Sequence, residues 1–191
     1  HGVDTVTISI LKASDNSPVG ESWNITGITA NSAPESNNLN AEISVGENGR
    51  ITADGKYVVK VSVKDKVGKE TVETQNVTVD RTGPIVEITS HTENDVVNAV
   101  KTISGTASDE GSGLASGTYK LYYTEGETTQ EISLTDEQCK LNIKANGNWD
   151  ATIPENTLQN QGKYKIEVSI KDKAGFKTTK SVNIVYDNAL P

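Results

Sequence analysis

Apolar and polar residues alternate most clearly in two stretches of the chain. Tyr57, Val59, Val61 and Val63 fall on one side of an extended backbone, with Lys60, Ser62 and Lys64 on the other. Tyr164, Ile166, Val168 and Ile170 repeat the pattern, opposed by Lys165, Glu167, Ser169 and Lys171. A period of two with one polar side predicts a half-buried antiparallel strand. The tetrapeptides DKVG (Asp65–Gly68) and DKAG (Asp172–Gly175) come next and predict turns. Asp suits the first turn position and Gly accepts a positive φ. A second strand follows each turn and ends at Val79 or Tyr186. No segment carries a convincing helical period.

The two stretches are copies of one another. Gly55–Pro84 laid on Gly162–Pro191 without a gap matches at 13 of 30 positions, including Tyr57/Tyr164, Asp65/Asp172, Gly68/Gly175, Asp80/Asp187 and Pro84/Pro191. The chain is therefore read as two modules, residues 1–83 and 84–191, with Pro84 opening the second. In the second module, strands are predicted at Ile85–Thr89, Val100–Ala107, Thr118–Tyr123, Gln130–Leu134, Leu141–Lys144 and Trp149–Ile153, followed by the repeated hairpin. Seven or eight short strands between frequent turn signals predict an immunoglobulin-like β-sandwich. Tyr57 and Tyr164 each start the penultimate strand, where a sandwich tyrosine ties its hydroxyl to the preceding loop. Trp149 is expected in the core; Trp23 is not assigned.

The first module is short. Gly2-Val3-Asp4 aligns with Gly113-Leu114-Ala115. On that alignment the first module lacks its opening two strands, which would lie upstream. A rival reading makes Thr5–Leu11 a true first strand at the edge of a sheet. Pairing of Asp4–Lys12 with Tyr57–Val63 inside one sheet separates the two. The absence of Met and the mid-pattern start at His1-Gly2 fit a piece of a longer chain. The fold expected is thus all-β: two tandem immunoglobulin-like sandwiches, the first without its opening strands.

Composition narrows the role. The formal net charge of −8 opposes binding to nucleic acid or to an anionic membrane. No apolar run approaches the roughly 20 residues of a membrane span. The single cysteine, Cys139, leaves no internal disulfide.

The stretches ISGTASDEGSGL (Ile103–Leu114), GKYKIEVSIKDKAG (Gly162–Gly175) and VTVDRTGPIVEI (Val77–Ile88) together resemble the bacterial immunoglobulin-like repeats of large cell-surface and secreted proteins. The resemblance covers the second module and the latter part of the first. It departs from the usual pattern where Lys69 and Phe176 replace an Asn after the hairpin, and where RTGP and NALP replace Thr-Pro-Pro. It implies a stalk: modules strung in tandem, outside a bacterial cell, that hold a functional domain away from the surface. Some related repeats stiffen their joints with calcium.

Topology gives one sharp expectation about chemistry. In such a sandwich the loop between strands two and three and the loop between the last two strands lie at the end where the chain enters. SDEGSG (Ser108–Gly113) and DKAG should then sit beside the linker VDRTGP. Asp80, Asp109 and Asp172 would converge, with Glu110 nearby, as ligands for Ca2+, which takes six to eight oxygens at about 2.3–2.6 Å. Asp65 and Asp187 would serve the joints on either side. The plainer reading is that each Asp starts a turn for its own hydrogen-bonding reasons.

Enzyme signals are weak. His91 lies in the turn SHTEND and is expected to be solvated. Cys139 has no evident histidine partner. Asp136 and Glu137 are adjacent on a polar turn. Two roles remain: a structural spacer whose partners are adjacent repeats, or an adhesion module gripping a glycan or host protein through its loops. The second needs exposed aromatics, for which Tyr122, Tyr123 and Trp23 are the candidates.

Overall fold

The computed structural model describes residues 2–25 and 41–189. His1 and Pro191, which bear on the chain's ends in the sequence reading, lie outside them. The chain forms two compact units, His1–Asp80 and Arg81–Pro191. Strands supply the secondary structure, and no helix occurs among the described residues.

In the second unit nine strands follow in order: β5 (Ile85–Ile88), β6 (Asp95–Val97), β7 (Thr102–Ser108), β8 (Leu114–Glu125), β9 (Thr128–Glu131), β10 (Asn142–Ile143), β11 (Asn148–Thr152), β12 (Gly162–Asp172) and β13 (Lys177–Tyr186). They make two sheets, ordered β10-β11-β7-β5 and β6-β13-β12-β8-β9. The core lies between them. Val86, Ile103, Trp149 and Ala151 come from one sheet, and Tyr119, Leu121, Ile166, Val168, Ile170, Val182 and Ile184 from the other. The alternation read along β12 is realised in full, because Tyr164, Ile166, Val168 and Ile170 are all buried while Lys165, Glu167 and Ser169 are half-buried on the outer face. Tyr164 also fulfils its expected tether: its hydroxyl donates to the Asn160 carbonyl at 2.8 Å.

Trp149 fills the centre of the core, as expected, and is 1% exposed. It fits because its cross-strand partner is Gly105. A Cβ at Gly105 would stand 1.9 Å from the Glu87 carbonyl oxygen and 2.4 Å from the Trp149 ring.

β6 escaped the sequence reading. Its three residues pair in parallel with Ile184–Tyr186 of β13. The chain thus leaves β5 in one sheet and touches the other before returning to β7. Side chains hold the crossing. Both oxygens of Glu93 accept from Asn183, from its backbone N–H at 3.0 Å and its side-chain amide at 2.7 Å. Asp95 accepts from the Thr92 backbone N–H at 2.7 Å and from its hydroxyl at 2.6 Å.

The first unit contains β1 (Val3–Lys12), β2 (Trp23–Asn24), β3 (Gly55–Asp65) and β4 (Glu70–Val79), in the order β2-β1-β3-β4. β1 pairs antiparallel with β3 from Val3/Asp65 to Lys12/Tyr57. This central placement is the one expected if Thr5–Leu11 is not an edge strand. Val6, Ile8 and Ile10 are buried along β1. Tyr57 repeats the tether of Tyr164, donating to the Ala53 carbonyl at 2.8 Å. Ile10, Ile51, Tyr57 and Val79 form a small core, against which Trp23 is half-buried.

Two outcomes follow from the second core. Gly105→Ala should destabilise that unit near or beyond the upper end of the about 1–3 kcal/mol typical of overpacking, read as a fall in its denaturant midpoint; an unchanged midpoint contradicts the packing. Burial, with a smaller push from Cys139, raises the Tyr119 phenol to about 12, against about 10 in an unfolded chain. A raised phenol favours the folded state while protonated. Its contribution is complete below pH ~10 and is lost as the pH climbs towards ~12, on the order of 2–3 kcal/mol. Tyr119→Phe should remove that part of the alkaline loss in pH-dependent melts.

Candidate functional site

The inward face of β12 continues past its apolar residues. Two positions beyond Ile170 it presents Asp172, with a register shift against β8 between Lys171 and Asp172. Alternation thus drives a carboxylate into the body of the unit, and Asp172 is 1% exposed. Its Oδ1 accepts from the backbone N–H groups of Gly175 at 2.6 Å and Phe176 at 2.9 Å. Its Oδ2 is buried with no hydrogen-bond partner. A carboxylate oxygen is an acceptor only, so this one is complemented by a donor or a cation or it remains a cost.

The loop between β7 and β8 meets the Asp172 turn, as the topology predicts. The Lys173 N–H donates to the Gly113 carbonyl and the Ala174 N–H to the Ser112 hydroxyl oxygen, each at 3.0 Å. Ser112 was missed as a bridge between these turns, since only its place in a turn-rich stretch marked it. Asp109 Oδ1 accepts from the Gly113 N–H at 2.5 Å and braces the loop. Asp80 is the last residue before the second unit. One carboxylate oxygen each from Asp80, Asp109 and Asp172 lies within 4.8 Å of the others. Oxygens sharing one Ca2+ at about 2.3–2.6 Å can stand no more than about 5 Å apart, so the spacing is within what such an ion spans. Glu110 is exposed and not one of the three.

The other acidic candidates sit in ordinary turns. Asp65 accepts from the Val67 and Lys69 N–H groups at 3.0 and 2.8 Å, and Asp187 accepts from Ala189 at 3.0 Å. Among the described residues neither belongs to a group of three potential ligands. His91 is half-buried, contrary to the solvated position expected. Its Nδ1 is 2.8 Å from the Ser90 hydroxyl, and burial, partly offset by Asp95, lowers its pKa. Burial first, then Asp136 and Glu131, raises the Cys139 thiol, which disfavours the thiolate a nucleophile needs. Glu137 pairs with Lys140 at 2.5 Å on an exposed turn.

The three candidate aromatics are engaged within the protein. Tyr123 packs on the core with its ring centroid 5.0 Å from that of Tyr164. Tyr122 lies on the outer face under the Lys165 ammonium, 4.0 Å from the ring centroid, with its hydroxyl 3.4 Å from Glu167. Trp23 carries the Arg50 guanidinium 3.7 Å over its ring. The contact suits a cation over a π face.

Two facing sheets with a buried tryptophan and a tyrosine tether define the second unit as an immunoglobulin-like sandwich. Residues 82–188 match the bacterial Ig-like domain, and the chain belongs to that family. Among solved structures it is similar to a tetra-tandem repeat in the extending region of a large adhesion protein. Identity there is 19%, the match covers 98% of this chain and 43% of that one, and the TM-score is 0.44. Fibronectin(III)-like modules of CbhA from Clostridium thermocellum match at 17% identity over 97% of this chain and 80% of theirs, with a TM-score of 0.39. A Ca2+-stabilised adhesin of an Antarctic bacterium matches at 16% identity over 96% and 40%, with a TM-score of 0.27. At these distances none of them fixes what this chain binds. No curated protein matches it.

Proposed function

We propose that this chain is a spacer: tandem modules of a bacterial surface or secreted protein that hold another domain away from the cell and whose partners are neighbouring repeats. The observation that carries the reading is the fate of the candidate aromatics. A module that grips a glycan or a host protein needs aromatic faces free to meet it. Tyr123 is stacked inside, while Tyr122 and Trp23 already have cationic partners. Membership of the bacterial Ig-like family supports the setting outside a bacterial cell. The linker supports stiffness, because Pro84 restricts the residue before it to extended geometry. No step of catalysis belongs to this reading. A glycan array and a pull-down from host extract test it: the spacer predicts no specific partner, and a specific micromolar ligand would overturn it in favour of an adhesion module.

Calcium is proposed as the module's ligand, held by Asp109 and Asp172 with Asp80. Support comes from the unpartnered, buried Oδ2 of Asp172 together with the spacing of the three carboxylates. Bound there, Ca2+ would join two loops of the second unit that already bond to one another. At a free Ca2+ concentration a hundred times Kd, binding should stabilise the second unit by about 2.7 kcal/mol, which raises its Tm on the order of 10 °C. EDTA should reverse the gain, and Asp172→Asn or Asp109→Asn should abolish it. A midpoint indifferent to both Ca2+ and EDTA would remove the ion and leave turn chemistry as the role of these residues.

A further inference from the structure

The segment from Ser90 to Val97 crosses from one sheet of the second unit to the other and is fastened to both. On the side of β7, the Ser104 N–H donates to the Ser90 hydroxyl oxygen at 3.0 Å, and that hydroxyl stands 2.8 Å from His91 Nδ1. On the side of β13, the two oxygens of Glu93 accept from the backbone N–H and the side-chain amide of Asn183. Between these points Asp95 closes a turn on the Thr92 N–H and hydroxyl. β6 itself adds little to the hold. Of its three residues Val96 is 71% exposed, and Val97 is half-buried against the core.

In each tie the titratable group is the acceptor. The Ser104 N–H takes one lone pair of Ser90 Oγ, so the Ser90 hydroxyl proton turns to His91 Nδ1, where a neutral imidazole receives it. A proton on Nδ1 ends that bond. Glu93 and Asp95 each use both oxygens as acceptors, and protonation turns one of the two into a donor. Charges on the neighbouring strands do not replace these ties. Lys165, opposite Asn183, holds Glu167, and Asp150, opposite Ser104, holds Lys144. Lys163 stands opposite Val185, and among the described residues no ion pair reaches Glu93 or Asp95. Asp95 is the charge that bears on His91, and burial outweighs it. Burial thus lowers His91 from its ordinary 6.5, the Asn183 hydrogen bonds lower Glu93 from 4.5, and the Thr92 hydrogen bonds lower Asp95 from 3.8. A group lowered on folding stabilises fully above its ordinary value and loses that contribution as the pH falls through the lower one. All three shifts therefore act in the same direction, with His91 loosening first and the carboxylates after it.

We propose that the Ser90–Val97 crossing is an acid-released strap: closed at neutral pH, it lets β6 leave β13 in acid while the two-sheet core stays folded. Release bares the outer edge of β13 at Ile184–Tyr186, which β6 covers. The rest of that sheet, β13-β12-β8-β9, is joined by backbone hydrogen bonds that do not titrate. Opening confined to one short, exposed strand costs far less than unfolding the core, so the two separate in pH.

Amide exchange in the full chain tests this, read as protection relative to an unstructured peptide at the same pH. The N–H groups of Asn94, Asn183 and Asp187 report the strap, because they bond to the Asn183 carbonyl, to Glu93 and to the Val97 carbonyl. Those of Ile166 and Val168 report the core. From about pH 7.5 to about pH 4, protection of the three strap amides should fall at least about tenfold while Ile166 and Val168 keep theirs. His91→Asn offers an amide oxygen that accepts without titrating, and should remove the part of the fall above about pH 5. Glu93→Gln has one acceptor oxygen in place of two, and should loosen the strap already at neutral pH with the core unchanged. A fall shared equally by Ile166 and Val168, no fall at all, or a fall that neither variant alters would overturn the proposal.

Discussion

Strand β12 imposes the constraint on which the second unit depends. Side chains two apart point the same way, so a strand that buries Tyr164, Ile166, Val168 and Ile170 must also point its next inward residue at the interior. That residue is Asp172. The alternation that builds the core therefore places one carboxylate at its rim, where two backbone N–H groups satisfy one oxygen and leave the other bare. Shifting the strand by one residue to relieve the carboxylate would turn every apolar side chain out to water. Core and acidic site are two readings of a single register.

Much of the fold was legible for the same reason. Period two in Tyr164–Ile170, turn chemistry in DKAG and the matching copy at Tyr57–Val63 specify strands, hairpin and repeat with few alternatives. Tyr57 and Tyr164 were readable because the tether depends only on position at the start of a strand. β6 was not readable. Three residues carry no period, and its pairing with β13 is fixed by Glu93 reaching Asn183, a contact 90 residues distant that no local pattern encodes. His91, expected in water, is half-buried in the same crossing. The convergence of Asp109 with Asp172 could be inferred from sandwich topology, since it joins two loops at one end. The bare Oδ2 could not, because the absence of a partner appears only when every nearby donor has been placed.

The surface tells a consistent story about chemistry. Lys120 pairs with Glu131, Lys165 with Glu167, and Lys144 with Asp150, mostly at half-exposed positions. Such pairs contribute little to stability, about 0–1 kcal/mol each, but they keep a strongly acidic chain patterned with both signs. Burial raises the pKa of the Cys139 thiol and lowers that of the His91 imidazole. Tyr122 and Trp23 lie under cations of the protein itself, and Tyr123 packs on the core.

The parallel pairing of β6 with β13 has a mechanical consequence. β6 lies near the start of the second unit and β13 at its end, and both run in the same direction. Tension applied through the two ends of the unit would drag these strands past each other along their length. Their hydrogen bonds, lying across that direction, would share the load together instead of opening one after another as in a peeled hairpin. Once β5 is drawn off β7, three residue pairs, with the Asn94 N–H on the Asn183 carbonyl and the Asp187 N–H on that of Val97, would resist that sliding together. Under flow or traction a rate of unfolding, and not the equilibrium stability of the core, would set how long the module stays folded.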